Sequence, residues 1–172
     1  MTRTRILTLQ TQDAYEWMYK LLHDIPYEKW DVIPEGIDTS LNWQVGHMIL
    51  SHYFHAIWVI KGHQPDIIKA MPFNEYAAMF TKGNAAATVG KVTGSDLTEH
   101  LKLVQQRSLD IMKTLTDADM DSMLEPTPIP HPVAGTKYES LDWNIKHTMY
   151  HCGQTAMVRR AVKGRYDFGL KV

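Results

Sequence analysis

Two segments of this chain, one hundred residues apart, carry the same residue pattern. Ser40–His47 reads Ser-Leu-Asn-Trp-Gln-Val-Gly-His, and Ser140–His147 reads Ser-Leu-Asp-Trp-Asn-Ile-Lys-His. Serine is a favoured helix N-cap, and each of these serines precedes a run of apolar residues at helical spacing. We therefore predict two helices with the same start, each carrying a histidine about two turns from its N-terminus.

The second segment continues to His151, four residues after His147. On an α-helix this spacing places both imidazoles on one face, where they can share a metal ion. Ser51 stands at the matching position of the first segment, so that helix supplies His47 alone. A hydrogen-bonded core histidine is the alternative for His47, and the matching second segment favours a ligand. Three imidazoles leave coordination positions open, which is typical of catalytic rather than structural sites.

The composition limits the classes of protein to which the chain can belong. At 172 residues we expect one domain over residues 1–172. A net charge of −1 gives no electrostatic case for nucleic acid or an anionic membrane as partner. The single cysteine, Cys152, excludes an internal disulfide and fits a reducing compartment. The longest strongly apolar run, residues 56–60, ends at Lys61, so we expect a cytoplasmic protein without a membrane span.

Apolar periodicity predicts four long helices, near residues 6–23, 41–61, 95–117 and 140–163. Ser95 is the expected N-cap of the third helix. A short helix is predicted at 73–80, followed by a long loop at 81–94 that is either an entrance element or a surface excursion. Four prolines force residues 125–132 into an extended path. Without any strand pattern, the chain is predicted to be an all-α four-helix bundle in which the second and fourth helices touch.

The other histidines are placed by a helical wheel of 100° per residue, with His47 as its origin. His55 falls about 80° away, at the edge of the inward face. His52, about 140° away, and His63, beyond the helix end, are predicted to be solvated. His131 lies in the proline-rich segment, where a solvated position is favoured over one near the site.

The predicted ligands have aromatic and amide neighbours on their helix faces. The aromatic residues are Trp43, Phe54, Trp58, Trp143 and Tyr150, which suggests a partly dry pocket for an apolar electrophile. The amides Gln44, Asn144 and Gln154 lie three residues from a ligand, and either fix imidazole tautomers, hold substrate, or serve as ordinary helix-start or interface polar groups. Cys152 lies about 140° from His147 and is not expected to be a ligand.

The motifs Asn42-Trp43-Gln44-Val45-Gly46-His47 and His147-x3-His151-Cys-Gly-Gln154 resemble those of the DinB-like superfamily over nearly the whole chain. The resemblance implies an up-down-down-up four-helix bundle, often dimeric, with a three-histidine divalent metal site. On the matching positions the ligands are His47, His147 and His151. Several members of this family are transferases of low-molecular-weight thiols, others are mycothiol-dependent isomerases, and many have no known reaction. For a homodimer, the candidate apolar face comprises Val45, Ile49, Ile145, Met149 and Met157.

The function predicted from these features is that of a divalent-metal-dependent enzyme acting on a small molecule, as a thiol-dependent S-transferase. Zinc or nickel suits three imidazoles first, with iron or copper as alternatives. Metal-dependent hydrolysis is a second use of such a site, although no acidic residue accompanies the histidines as a general base. A non-enzymatic, stress-associated metal- or ligand-binding bundle, or a purely structural bundle with an empty histidine cluster, completes the alternatives.

Overall fold

A computed structural model describes residues 1–169, and within that range the chain is helical without a strand. Its α-helices are α1 (Arg3–Leu22), α2 (Leu41–Tyr53), α3 (Val59–Lys61), α4 (Pro65–Lys69), α5 (Phe73–Phe80), α6 (Gly94–Thr114), α7 (Asp117–Met120) and α8 (Lys137–Val162). Short 3-10 turns lie at Tyr27–Lys29 and Ala85–Thr88. The predicted all-α class is confirmed. No helix in residues 1–169 is both long and apolar enough to cross a membrane.

The four long helices α1, α2, α6 and α8 surround one apolar core. Helix α1 packs against α6 and α8, and α2 packs against the same two helices. The predicted contact between the second and fourth long helices is therefore present, as the packing of α2 on α8. The core between them contains fully buried side chains such as Met18, Met48, Leu101 and Leu141. Helix α5 packs across α2, and this contact positions part of the candidate site.

The second predicted helix is interrupted by a π-helical turn at Phe54–Trp58, before α3 completes it. Hydrogen bonds in such a turn reach one residue further than in an α-helix, so some carbonyl groups need other partners. The Ser140 hydroxyl supplies one, donating to the carbonyl oxygen of His55 at 2.8 Å. The turn thereby joins the end of α2 to the beginning of α8.

The two matching serines have different roles. Ser40 caps α2 as predicted, because its side chain accepts a hydrogen bond from the Trp43 backbone amide. The predicted cap at Ser140 is wrong, since α8 begins three residues earlier. There Thr136 and Glu139 form a capping box, in which each side chain accepts from the other residue's backbone amide. This pair satisfies two free donors, so the helix extends back past Ser140.

Other helix ends also differ from the prediction. Helix α6 begins at Gly94, one residue before the predicted cap Ser95, because the Thr93 side chain accepts from the Asp96 amide. It ends at Thr114 rather than 117, and Thr116 then caps the short helix α7. Helix α1 begins at Arg3 rather than near residue 6. The short helix at 73–80 is present as α5, and the loop at 81–94 contains one 3-10 turn.

Helix α2 is buried on nearly all of its sides, which overturns two predictions. His52, predicted to be solvated, is fully buried, and its Nε2–H donates to the Thr148 hydroxyl at 3.0 Å. Val45 and Ile49 are likewise fully buried inside their own chain, so they cannot belong to a dimer face. The helical wheel assumed that the side of α2 opposite His47 faces solvent. In the fold that side packs against α6, where Gln105 lies 3.4 Å from His52 Nδ1.

Candidate metal centre

The three predicted ligands, His47 from α2 and His147 and His151 from α8, lie together in the fold. One ring nitrogen of each lies within 4.8 Å of the corresponding nitrogens of the other two. The centroids of the His47 ring and the His147 ring are 5.4 Å apart, and those of His47 and His151 are 4.7 Å apart. The contact between α2 and α8 therefore converts two distant sequence motifs into one cluster.

The first of these imidazoles is oriented by a backbone carbonyl. His47 Nδ1 lies 2.8 Å from the carbonyl oxygen of Phe80, so Nδ1 carries the proton and Nε2 keeps its lone pair. The close approach of α5 depends on Gly46, since a Cβ atom there would lie 2.5 Å from the Phe80 ring. Trp43 stacks on the other side of His47, with ring planes 5° apart. The Ser51 hydroxyl lies 3.3 Å from His47 Nε2.

The tautomer of His151 is fixed by a buried chain of amides. Gln44 Nε2 donates to the Thr39 hydroxyl and to Gln154 Oε1, each at 2.9 Å, and these two acceptors set the direction of the Gln44 amide. Gln44 Oε1 then accepts the Nδ1 proton of His151 at 2.6 Å. Such a partner orients a metal-ligating imidazole and leaves its Nε2 lone pair free.

The distance between the His147 and His151 rings shows whether a cation fits between them. His147 Nε2 lies 3.1 Å from His151 Nε2, and two nitrogens at that distance share either one proton or one cation. Tetrahedral zinc with Zn–N distances of about 2.0–2.1 Å separates two nitrogen ligands by about 3.3 Å. The Nδ1 atom of His147 is buried without a hydrogen-bond partner among residues 1–169, so no protein group holds this ring in the tautomer with a free Nε2 lone pair, as Phe80 and Gln44 do for the other two rings. The donor set and this spacing fit a divalent cation.

The cluster is electrostatically suited to a cation because its imidazoles resist protonation. Burial, with a contribution from His47, lowers the pKa of His147 to about 4. Burial also lowers the pKa of His151 to about 3, helped by its two histidine neighbours. The pKa of His47 is lowered by burial as well, partly offset by its bond to Phe80. All three rings are therefore neutral at neutral pH, the state in which imidazole binds metals.

The other predicted site residues are distributed differently. Asn144 is not brought to the cluster, because its Nδ2 donates to Tyr15 Oη at 3.1 Å inside the core. Of the predicted aromatic residues, Phe54 and Trp58 line a cavity beside His47. Trp143 stacks near His147, and Tyr150 is mostly exposed beside His151.

His55 and His131 contact each other, although the sequence predicts no such pair. His55 Nδ1 lies 2.7 Å from His131 Nε2, and the His55 ring centroid is 5.5 Å from that of His147. The prediction of a solvated His131 is wrong, since the residue is half-buried and stacks on Phe54. The proline-rich composition of its segment gave no signal for this pairing, which depends on the segment packing against the π-helical turn.

Cys152 lies in α8 and is only 3% exposed, and this burial raises the pKa of its thiol to about 12. It does not belong to the group of side chains that converge as metal donors within residues 1–169. A thiol with so high a pKa remains protonated at neutral pH and is a poor nucleophile. Any sulfur nucleophile used at this site would therefore come from a separate molecule.

An all-helical chain with three neutral histidines gathered from two of its helices has the features of a helical metalloprotein. The sequence model of the DinB superfamily matches residues 10–155, and the chain belongs to that superfamily. It is also similar to a solved structure described as a conserved protein of locus from Enterococcus faecalis. That likeness has 16% identity and a TM-score of 0.72 over 96% of this chain and 99% of the other, and it concerns the fold alone. No curated protein matches the chain.

Proposed function

We propose that the protein is a divalent-metal-dependent transferase that joins a low-molecular-weight thiol to an apolar electrophile. The observation that carries this proposal is the convergence of three neutral imidazoles beside an apolar cavity of about 440 Å³. His47 belongs both to the cluster and to the cavity wall. A substrate in the cavity would therefore lie next to the metal centre.

In this proposal His47, His147 and His151 hold the cation, and zinc or nickel fits three imidazoles best. A cation bound there supplies a Lewis acid that lowers the pKa of a thiol or water at the site. Gln44 and Gln154 keep the His151 ring in its ligand tautomer, and Phe80 does the same for His47. These neutral ligands leave the positive charge of the cation undiminished, which favours an anionic sulfur nearby.

The proposed reaction forms one sulfur–carbon bond. The thiol sulfur attacks the electrophilic carbon, and the bond between that carbon and its leaving group breaks. The electron pair of the broken bond departs with the leaving group, and the thiol proton passes to solvent. The chain's own residues contribute by binding: the apolar cavity removes the electrophile from water and holds it against the His47 side of the cluster.

Hydrolysis by the same cation is less well supported. A metal-dependent hydrolase usually places a carboxylate near the metal as general base, as the glutamate of the His-Glu-x-x-His motif does. Within residues 1–169, the group of converging donors contains histidines and no acidic residue. The transferase proposal needs no such base, since a thiol loses its proton far more easily than water does.

The proposal also includes the domain organisation, the helix order, the location and the oligomeric state of the protein. We propose one domain over residues 1–172, an up-down-down-up order of the long helices, a cytoplasmic location and a homodimer. Of the residues predicted for a dimer face, Met149 and Met157 are exposed on α8, and Ile145 is half-buried between them and the helix start. These three residues form a revised candidate face that excludes α2.

The proposal is tested with protein purified without a histidine tag and loaded with Zn²⁺. The assay offers several small thiols together with a generic electrophile such as 1-chloro-2,4-dinitrobenzene, and measures thioether formation. We expect His151→Ala to lose both bound zinc and turnover. The control His23→Ala removes an exposed histidine outside the cluster and should lose neither. Cys152→Ser should retain both.

Two results would contradict the proposal. One is turnover retained by zinc-free His151→Ala, because catalysis would then not depend on the cluster. The other is turnover lost in Cys152→Ser with zinc still bound, because the nucleophile would then belong to the chain. If zinc binds but no thiol reacts, and an ester or amide probe is hydrolysed instead, the hydrolase alternative replaces the transferase.

A further inference from the structure

The cavity beside the cluster has a mostly apolar wall and no charged side chain among its lining residues. Phe54 and Trp58 from the π-helical turn and Phe73 from α5 form one side. The proline-rich segment forms the other, through residues that include Pro128 and Pro132. Such a wall offers no counter-charge for a carboxylate, phosphate or ammonium group, and desolvating one here would be costly.

Most polar groups in this wall already have hydrogen-bond partners. Without a bound cation the Ser51 hydroxyl is bonded to His47 Nε2, the Thr127 hydroxyl donates to the Ile129 carbonyl, and Tyr53 Oη accepts from the Gln64 backbone amide. Thr81 is exposed at the rim. Two polar groups of the wall remain without a ligand-independent role: the imidazole of His55, a residue that is only 8% exposed, and the indole N–H of Trp58, which has no hydrogen-bond partner among residues 1–169 and belongs to a less buried residue.

A chain of hydrogen bonds fixes the proton of that imidazole. His131 Nδ1 accepts from the backbone amides of Ala134 at 2.9 Å and Val133 at 3.3 Å, so the His131 proton sits on Nε2. This Nε2–H donates to His55 Nδ1 at 2.7 Å. His55 therefore carries its own proton on Nε2, and that atom has no hydrogen-bond partner among residues 1–169.

We propose that this cavity binds an uncharged, largely apolar molecule with one hydrogen-bond acceptor, such as a carbonyl or nitro oxygen, and that His55 Nε2–H donates to that acceptor. His131 is the positioning residue that selects the donor tautomer. The proline-rich segment thereby contributes to ligand recognition as well as to the cavity wall. This inference rests on the proposed function only in treating the bound molecule as the electrophile.

The apolar wall of the cavity also implies that the two substrates of the proposed reaction bind in different places. Common low-molecular-weight thiols that carry carboxylates would meet no cationic side chain in this cavity. The apolar electrophile consequently occupies the cavity, and a charged thiol must approach the cluster from outside it. A polar acceptor held by His55 would fix the orientation of the electrophile beside His47.

The binding test uses three probes of similar size: acetophenone, ethylbenzene and benzoate. Each is titrated into metal-free and into zinc-loaded protein at neutral pH, and dissociation constants are obtained from NMR chemical-shift changes. One neutral hydrogen bond should make acetophenone bind about threefold to tenfold more tightly than ethylbenzene. In the metal-free protein benzoate should bind most weakly, because its charge would be buried without a counter-charge.

Two variants connect this preference to the proposed residues. His55→Phe should bind ethylbenzene as before and bind acetophenone no better than ethylbenzene. His131→Phe leaves His55 free to adopt either tautomer, and should reduce the preference by a smaller factor. In ¹⁵N spectra of the parent protein, the proton of His55 should be found on Nε2, and it should shift towards Nδ1 in His131→Phe.

Occupation of the cavity itself is tested by filling it. Ala77 lines the cavity from α5, whereas its neighbour Ala78 is exposed and does not. Ala77→Trp should abolish binding of acetophenone and ethylbenzene, and Ala78→Trp should not. The inference is overturned if acetophenone and ethylbenzene bind equally to the parent, if His55→Phe keeps the preference, or if benzoate binds best to the metal-free protein.

Failure of this inference and failure of the proposed function give different results. Binding is measured with and without zinc. A His55-dependent preference together with a failure of the protein to take up zinc when it is supplied would support the inference and contradict the proposed function. Thiol transfer by the zinc-loaded protein, with no preference for acetophenone, would support the proposed function and overturn the inference.

Discussion

Replacing Gln44 by methionine tests the role of the amide chain behind His151. Methionine has nearly the same volume but neither accepts the His151 proton nor donates to Thr39 and Gln154, so three hydrogen bonds are lost. Hydrogen-bond partners of metal-ligating histidines typically contribute a factor of about 10 to 100 in metal affinity. At about 1.4 kcal/mol per tenfold change, this corresponds to about 1.4–2.8 kcal/mol of Zn²⁺ binding free energy.

The same substitution should also destabilise the metal-free fold. Three hydrogen bonds at about 0.5–1.5 kcal/mol each give a loss of about 1.5–4.5 kcal/mol in the free energy of unfolding. Zinc affinity is measured by competition with a chromophoric chelator, and stability by urea denaturation. Both measurements use untagged protein, because a histidine tag would bind zinc itself.

Gln105→Met is the matched control for this experiment. Gln105 is also a buried glutamine beside a histidine, but its neighbour is His52 in the core rather than a member of the cluster. This control should lose some stability and keep its zinc affinity. Unchanged zinc affinity in Gln44→Met, or an equal loss of affinity in both variants, would refute the idea that the amide chain prepares His151 for a metal.

Three further predictions follow from the packing and burial of named residues. Gly46→Ala should cost about 1–3 kcal/mol of stability and weaken zinc binding, because its Cβ would displace Phe80. The control Gly153→Ala places its Cβ in open space and should be neutral or slightly stabilising. Equal effects of the two substitutions in denaturation and zinc titrations would contradict this prediction. The free energy of unfolding of the metal-free protein should fall as pH drops below about 6.5, by up to about 1.4 kcal/mol per pH unit for each buried histidine. Stability falls with pH because burial lowers the pKa of His52 well below its ordinary value and that of His55 to about 3, so the unfolded chain binds more protons than the folded chain in this range. A free energy of unfolding that does not change between pH 7 and 5 in urea denaturation would contradict this prediction. Thr136→Ala should destabilise the fold by about 1 kcal/mol through loss of the capping box, while Ser95→Ala, outside any cap, should have little effect in the same measurement.

The features that local sequence patterns determine were predictable. Apolar periodicity located the long helices to within a few residues, because their buried stripes recur at helical spacing. The spacing of His147 and His151 placed both on one face of α8, and the matching segment identified His47 as their companion. The Thr136–Glu139 capping box was also readable from the sequence, as a threonine followed three residues later by glutamate. The match between Ser40 and Ser140 instead favoured Ser140 as the cap.

The features that depend on packing between distant segments were not predictable. The burial of His52 depends on α1 and α6, which cover the side of α2 opposite His47. The contact between His55 and His131 joins residues 76 positions apart, through a segment whose prolines predict an extended path but not its location. The π-helical turn also changes the direction of side chains after Tyr53, where a wheel of 100° per residue no longer applies.

The central claim is that His47, His147 and His151 together bind one divalent cation. X-ray absorption at the zinc edge of tag-free, zinc-loaded protein tests it most directly, because the spectrum identifies the ligand atoms. We predict one zinc per chain, nitrogen or oxygen neighbours at about 2.0–2.1 Å, and the outer-shell scattering of three imidazoles. We expect this imidazole signal to be lost in His151→Ala, because that substitution removes one of the three ligands. A sulfur neighbour at about 2.3 Å, or an imidazole signal unchanged in His151→Ala, would contradict the account.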